Sequence, residues 1–206
     1  MSASPNAGPA EEFAARIHES TPKPIEITRF LDGLTHGERV AAVRGCGRKE
    51  QSRLWEVVDA YAPVRLTDLV PPATGDLQTV RHFGRNTLPA FTHFEKRFTR
   101  PKGESAEHPG ELYGFNFQSL SSLTGPGYFV AEDSPEREEV LIDYRRVPTD
   151  HPQGWPEIRS NERGVGRLVY GFMVDTLRRV SEHVTVGSAA RRGVDLGSWF
   201  LLCREP

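Results

Sequence analysis

The sequence predicts an α+β fold, in which a helical N-terminal layer is followed by a curved antiparallel sheet with one or two covering helices. Amphipathic helical patterns are concentrated before residue 73, whereas short alternating apolar segments are gathered between residues 112 and 144. The 16 prolines and 19 glycines argue against a pure helix bundle. Strands that follow one another without intervening helices also argue against a doubly wound parallel sheet.

The 206 residues are enough for one large domain, or for one domain with a small appendage, and such a chain can bury a sizeable core. We expect residues 1–10 to form a disordered arm, because they are small and polar and lack apolar anchors. Residues 11–72 are predicted to be a helical N-terminal region, and residues 73–206 a strand-rich α+β domain.

The helical region divides at recognisable signals. Three of its predicted helices span residues 11–19, 25–34 and 48–60. Another begins after Thr35, because Thr35 and Glu38 have the spacing of a capping box, in which each side chain accepts a hydrogen bond from the other residue's backbone. That helix is expected to stop at Gly45 or Gly47, since glycine permits left-handed backbone angles.

The strand-rich region is predicted to contain an antiparallel meander and a terminal hairpin. The three segments of the meander alternate in hydropathy and have short links; they span residues 112–118, 128–131 and 140–144. The hairpin joins residues 184–188 to residues 198–203 through a turn within residues 193–197. An earlier strand is predicted from Leu77 to Phe83.

Two further segments are predicted to be the covering helices. Between residues 90 and 98, Phe91, Phe94 and Phe98 recur at the spacing of one helical face. Residues 168–184 also fit a helical face better than a strict alternation, although their mixed propensities leave a strand open for this segment.

Composition and charge exclude several classes of protein. The net charge of −2 and the pI of about 6.4 lack the basic balance of a dedicated nucleic-acid binder, so no nucleic-acid partner is predicted. No apolar run approaches the roughly 20 residues that a membrane-spanning helix needs, and the first residues lack a signal-peptide pattern. We therefore expect a soluble, cytoplasmic protein.

The cysteines and histidines do not indicate a bound metal or cofactor. Cys46 and Cys203 lie far apart, in segments of different character, and are predicted to be free thiols. The seven histidines are not paired at i, i+2 or i, i+4, and no phosphate-binding, zinc-protease or hydrolase motif occurs. Neither a metal nor a cofactor is predicted.

The densest group of polar residues lies around the start of the first covering helix. There Arg85 and Asn86 would stand beside free backbone N–H groups and the positive end of the helix dipole, which suits an anionic group. His93 and Arg97 are further candidates for this anion site, whereas Lys96, on the helix body, is expected to matter less. The alternative is an amphipathic helix whose basic residues are simply solvated.

Polar and aromatic residues of the meander are the other binding-site candidates. Tyr113, Asn116 and Tyr128 lie on predicted strands, and Asn116 needs a hydrogen-bond partner if it is buried in so apolar a segment. These residues would supply polar groups to a sheet-lined cavity or, alternatively, would pair across strands on a solvated face.

Three functions are compatible with these candidates. The first is binding of a small molecule, such as an anionic, amphipathic ligand, in a mainly apolar cavity between sheet and helices. The second is an enzyme that uses His82 or His93 for acid–base chemistry in the same cavity. The third is a protein-interaction module, which would expose an apolar patch on its helices over a filled sheet. The sequence identifies neither the ligand, nor a reaction, nor the oligomeric state.

Overall fold

The chain forms five helices followed by eight strands in the residues that the computed structural model describes, which are 7–89, 92–117, 125–159, 161 and 170–206. The helices are α1 (Pro9–Ile17), α2 (Pro24–Asp32), α3 (His36–Gly45), α4 (Arg48–Val57) and α5 (Leu66–Leu69). The strands are β1 (Val80–Asn86), β2 (His93–Thr99), β3 (Leu112–Phe117), β4 (Tyr128–Asp133), β5 (Val140–Asp143), β6 (Met173–Arg179), β7 (Val184–Arg191) and β8 (Val194–Arg204).

The helical layer follows the predicted signals. α2 ends at its C-cap residue Gly33, and α3 begins after Thr35, whose hydroxyl accepts from the backbone N–H of Glu38 at 3.4 Å. The Glu38 carboxylate accepts in return from the backbone N–H of Thr35 at 2.9 Å, so the capping box is confirmed. None of the described helices is long and apolar enough to span a membrane.

The first helix starts earlier than the sequence suggested. α1 begins at Pro9, inside the segment 1–10 that was predicted to be a disordered arm. Proline suits the first turn of a helix, and Glu11 accepts from the backbone N–H of the N-cap residue Gly8 at 3.4 Å. Residues 1–6 lie outside the described part of the chain, so the arm remains a prediction there.

The third helix ends where predicted, but for a different physical reason. α3 ends at Gly45, and neither Gly45 nor Gly47 has a left-handed backbone. A Cβ atom added at Gly45 would lie only 2.2 Å from the Cβ of Ala10. Glycine is therefore needed here because it lets α1 and α3 approach closely.

The eight strands form a closed antiparallel barrel, in which each strand pairs with the next and β8 pairs back with β1. The prediction of helices followed by antiparallel strands holds, but the prediction of a curved sheet with covering helices is wrong. Closure gives every described strand a partner on both sides. The sheet therefore needs no helix to protect an edge.

The predicted meander and terminal hairpin are confirmed. β3, β4 and β5 pair consecutively, and β7 pairs with β8. The turn of the hairpin is shorter than predicted, because Arg191 pairs with Val194 and leaves only Arg192 and Gly193 between them. Both turn residues have positive φ, at 52° and 77°, as two-residue hairpin turns with right-handed strand twist require.

Both predicted covering helices are wrong. Residues 93–99 form β2, which lies between β1 and β3; Phe94 and Phe98 are four residues apart and so share a face in a strand as well as in a helix. In the segment 168–184, β6 and the start of β7 form strands, which is the alternative that the sequence left open. In each case, hydrogen bonding to two neighbouring strands outweighs a local helical pattern. Phe91 lies outside the described residues.

Helices cover the barrel on one side and at one end. α1 to α4 pack on the outside of β7 and β8, where Val184, Val186 and Leu201 join the helical core. α5 lies at one end of the barrel, and its Leu66 and Leu69 join the core of the barrel interior. We call this the closed end. The open end is the opposite one, where β1 ends and β8 begins.

Candidate functional site

A cavity of about 370 Å³ occupies the half of the barrel interior that is nearer the open end. Leu88 and Leu196 line its rim and are 49% and 42% exposed, so the cavity opens to solvent between them. The walls are mainly apolar and include Phe94, Tyr170, Met173 and Phe200. Deeper in the barrel, four polar side chains border the same space; they are Lys96, Asn116, Tyr144 and Asp175, and we call them the polar cluster.

The polar cluster is held together by a dense set of hydrogen bonds. Lys96 Nζ donates to Asn116 Oδ1 at 3.0 Å, to Asp175 Oδ2 at 3.3 Å and to the Tyr144 hydroxyl. Asn116 Nδ2 donates to the same hydroxyl at 3.0 Å, and that hydroxyl donates to Asp175 Oδ2 at 3.2 Å. Lys96 and Asp175 are each 2% exposed, so the cluster contains a buried ion pair.

Strand geometry explains why these side chains meet. Side chains alternate between the two faces of a strand, so Lys96 points inward between Phe94 and Phe98. Asn116 is its direct partner across the β2–β3 ladder. Asp175 lies on β6, four strands away and thus on the opposite wall of an eight-stranded ring. Lys96 therefore crosses the barrel interior to reach it.

Two glycines make room for the aromatic rings around the ammonium group. A Cβ atom at Gly114 would lie 2.3 Å from the Phe129 ring, and one at Gly187 would lie 2.2 Å from the Phe200 ring. With glycine present, these rings pack against the inner wall and face Lys96. Their centroids lie 5.1 Å and 4.8 Å from Nζ, within the range of a cation–π interaction.

Burial disfavours the charged form of each titratable member of the cluster. It lowers the pKa of Lys96 below its ordinary value, although the Asp175 carboxylate opposes this effect. Burial raises the pKa of Asp175, and burial together with the nearby carboxylate holds the pKa of Tyr144 well above its ordinary value. The pKa values of Lys96 and Asp175 thus approach one another, which eases proton transfer within the pair.

The cluster has one vacant hydrogen-bonding position on an ionisable group. All three N–H groups of the Lys96 ammonium are used within the cluster. Asp175 Oδ1, by contrast, is buried and accepts no hydrogen bond from any residue that the structure describes. A buried carboxylate oxygen without a partner is costly, so the geometry favours a ligand that donates a hydrogen bond to it.

The structure places two of the sequence-predicted site residues in this cavity, Asn116 in the polar cluster and Asn86 near the rim. Arg85 faces outward, and its Nη1 donates to the backbone carbonyl of Arg44 at 2.7 Å. The predicted anion site at a helix N-terminus is wrong, because residues 93–99 form β2 and no helix begins there among the described residues.

His93 and Arg97 lie on the outer face of β2, since they alternate with the inward side chains of that strand. His93 is exposed. Arg97 donates to Glu95 at 3.0 Å and covers the Phe117 ring at 3.9 Å from its centroid. Arg97 is therefore accounted for by a surface ion pair and a ring contact, without a ligand.

Tyr113 and Tyr128 also face outward, on β3 and β4. The Tyr113 hydroxyl forms a hydrogen bond with the Thr149 hydroxyl at 3.0 Å. The Tyr128 hydroxyl donates to the carbonyl of Pro156, and its ring packs with Trp155 in a small core outside the barrel. Both tyrosines therefore hold the segment after β5 against the barrel rather than line the cavity.

His82 is inside the barrel, but at the closed end. It is 1% exposed, its Nε2–H donates to the Leu69 carbonyl at 2.9 Å, and its ring packs 4.7 Å from that of Phe98. Burial lowers the pKa of His82 to about 3, so the ring is neutral near pH 7. Neither His82 nor His93 is among the described residues that line the cavity.

Sequence reasoning missed three members of the polar cluster. Lys96 was assigned to the exposed face of a helix, Asp175 lay within another predicted helix, and Tyr144 was placed on the meander without a role. One signal was present: Lys96 has Phe94 and Phe98 at two residues on either side, as an inward position of a strand would have.

Other chemically capable groups are accounted for by structure. Cys46 and Cys203 are free thiols, as predicted, and both are buried. Burial raises the pKa of their thiols to about 12 and about 11, so both are protonated and unreactive near pH 7. Across the described residues, no group of three or more histidine, cysteine, aspartate or glutamate side chains is arranged to hold a metal ion.

Comparison with known proteins gives no family for this chain. No family model matches it, and neither a curated protein nor a solved structure shows detectable similarity to it. Its function is therefore argued from the cavity and the polar cluster.

Proposed function

We propose that the barrel binds a small, mainly apolar molecule in its interior cavity and recognises one hydrogen-bond-donating group of that molecule. The observation that carries the proposal is the polar cluster deep in an otherwise apolar cavity, with Asp175 Oδ1 left without a partner in the described part of the chain. A ligand hydroxyl or amine would satisfy this oxygen.

The size and walls of the cavity support a small apolar ligand. An antiparallel barrel of eight strands is just wide enough to hold one small ligand, and about 370 Å³ lies in the usual range for ligand cavities. The rings of Phe94, Tyr170 and Phe200 offer flat apolar surfaces to it.

The charges of the cluster argue against an anionic group placed beside it, although Arg191 lines another part of the cavity. The charge of Lys96 is balanced by Asp175 at 3.3 Å, and its three N–H groups are already used. An anionic group at the cluster would stand beside the Asp175 carboxylate in a medium of low dielectric constant, where repulsion is strong. The proposed ligand therefore carries a hydroxyl or amine at the position where the sequence suggested an anionic head group.

An interaction module is less well supported. Among the large apolar side chains of the described helices, Ile25 is exposed, but the rest of the helical apolar surface packs within the layer or on the barrel. The barrel interior also contains a cavity, whereas an interaction module was expected to have a filled sheet.

The proposal is tested by titration with three fluorescent probes of related shape. 1-Aminoanthracene is neutral and carries an N–H donor, anthracene lacks the donor, and 1-anilinonaphthalene-8-sulfonate is anionic. We expect 1-aminoanthracene to bind about tenfold or more tightly than anthracene, because a hydrogen bond to a charged group contributes about 1.5–3 kcal/mol. The anionic probe should bind most weakly.

Two neighbouring alanines provide a matched pair of variants. Ala189 lines the cavity, whereas Ala190 is not among the described lining residues. Ala189→Phe should fill the cavity and abolish binding of 1-aminoanthracene, and Ala190→Phe should retain it. Binding that survives Ala189→Phe in a folded protein would place the probe elsewhere and refute the proposal.

A further inference from the structure

Lysine is rare in this chain, and the one buried lysine borders the cavity. Of the 26 basic residues, four are lysines: Lys23, Lys49, Lys96 and Lys102. The other three are exposed on the surface, whereas Lys96 is 2% exposed and borders the cavity. Arginine supplies nearly all the other positive charge.

Arginine and lysine differ in a way that bears on this position. A guanidinium group stays protonated and does not act as a nucleophile in proteins, whereas a lysine amine can lose its proton and attack a carbonyl carbon. Lys96 also has a proton acceptor in place, since Asp175 Oδ2 lies 3.3 Å from Nζ. The Tyr144 hydroxyl contacts both Nζ and Asp175 Oδ2, so it can relay a proton between them.

We propose that Lys96 forms a reversible imine with an apolar aldehyde or ketone that enters the cavity. This inference rests on the proposed function, because the carbonyl compound must first occupy the same cavity. It adds a class of ligand and a covalent step to that function.

The residues present balance every proton of the reaction. Lys96 first transfers one proton to Asp175, which leaves a neutral amine and a carboxylic acid. The Nζ lone pair attacks the carbonyl carbon, one of the two Nζ protons moves to the carbonyl oxygen, and a neutral carbinolamine results. Asp175 then returns its proton to that oxygen as the carbon–oxygen bond breaks. The products are a protonated imine, the Asp175 carboxylate and one water molecule.

The vacant position of the cluster suits the intermediate of this reaction. The carbinolamine hydroxyl is a hydrogen-bond donor beside Nζ, and Asp175 Oδ1 is an acceptor without a partner among the described residues. After water leaves, the imine N–H keeps Asp175 Oδ2 as its counterion. Asn116 and Tyr144 keep the hydrogen bond between Nδ2 and the hydroxyl at 3.0 Å, so neither loses all its partners when Lys96 reacts.

Selectivity for this lysine follows from its surroundings. A lysine side chain in water is protonated at neutral pH, and protonation suppresses imine formation. Burial lowers the pKa of Lys96, and the apolar walls concentrate an apolar carbonyl compound beside it. Lys23, Lys49 and Lys102 therefore serve as internal references in the same molecule.

The test is reductive trapping of the folded, full-length protein with octanal and sodium cyanoborohydride near pH 7, followed by peptide mapping. Each trapped site gains the mass of octanal less one oxygen atom. We expect Lys96 to be modified at least about tenfold faster than each exposed lysine. Ala189→Phe should protect Lys96 and leave the exposed lysines unchanged, and Lys96→Met should lose the fast site.

A parallel measurement separates failure of this inference from failure of the proposed function. Octan-1-ol has the same chain but cannot form an imine, and its binding is read by displacement of 1-aminoanthracene. If octan-1-ol binds but Lys96 reacts no faster than the exposed lysines, the imine proposal is overturned and the binding function stands. If neither 1-aminoanthracene nor octan-1-ol binds and Lys96 is not modified, both are overturned. Site mapping in the wild type needs no variant to fold.

Discussion

The two halves of the barrel interior bury polar groups in opposite ways. Towards the closed end, His82 is a single neutral ring whose Nε2–H is bonded to the Leu69 carbonyl, and apolar side chains such as Phe98 and Leu202 fill the space around it. Towards the open end, Lys96 and Asp175 form an ion pair beside a cavity of about 370 Å³.

This difference indicates which half of the interior is a packed core and which half binds a ligand. A buried polar group that is neutral and satisfied fits a core at little cost. Burying an ion pair costs hydration free energy, and the attraction between the two charges compensates this cost only partly. Apolar residues of similar size usually stabilise the fold as well or better. The closed half therefore has the properties of a core, and the open half has those of a binding site.

The largest expected effect contrasts two phenylalanines of β2. Phe98 is fully buried in the closed half, so Phe98→Ala should lower the free energy of unfolding by about 3–5 kcal/mol. Phe94 borders the existing cavity, so Phe94→Ala should cost at most about half as much. Urea denaturation of the two variants measures both values. Equal losses would mean that the two halves are packed alike.

The comparison of predicted and observed elements shows what the sequence can decide here. Local sequence patterns predicted the structure correctly where the interacting residues are close in sequence, as in the Thr35–Glu38 capping box and the short links of the β3–β5 meander. They failed for residues 93–99, because aromatic residues four apart suit a helix or a strand, and only pairing with β1 and β3 decides between the two.

The candidate site was less predictable than the fold. Asn116 was found because a polar residue inside an apolar strand needs a partner, and Lys96 is that partner across the ladder. Asp175 comes from a strand on the far side of the barrel, at a sequence separation of 79 residues from Lys96. Its role depends on closure of the barrel, which no local pattern encodes.

The effect expected to be intermediate in size is a loss of stability at acidic pH that is caused by His82. Its pKa in the folded protein is about 3, below the value near 6.5 of an unfolded chain, so protons bind the unfolded state preferentially below pH 6.5. The contribution of His82 to stability is therefore complete above that pH and is lost as the pH falls towards 3. Between pH 8 and pH 5 we expect a loss of about 2 kcal/mol.

The matched control for this effect is His82→Gln, which keeps an N–H donor for the Leu69 carbonyl but does not titrate. Denaturant unfolding at pH 8 and pH 5 should give a smaller loss for the variant than for the wild type, by about 2 kcal/mol. An identical loss in both proteins would show that His82 binds protons equally well in the folded and unfolded states, which would contradict its burial in a closely packed core.

The smallest expected effect tests the central claim, that the ion pair in the open half is present for a ligand and not for folding. The measurement is the free energy of unfolding of the double variant Lys96→Met/Asp175→Leu, with both single variants as references. We expect the double variant to lie within about 1 kcal/mol of the wild type or above it, and each single variant to be less stable than the double. A double variant that is less stable than the wild type by about 3 kcal/mol or more would make the pair part of the core and contradict the account.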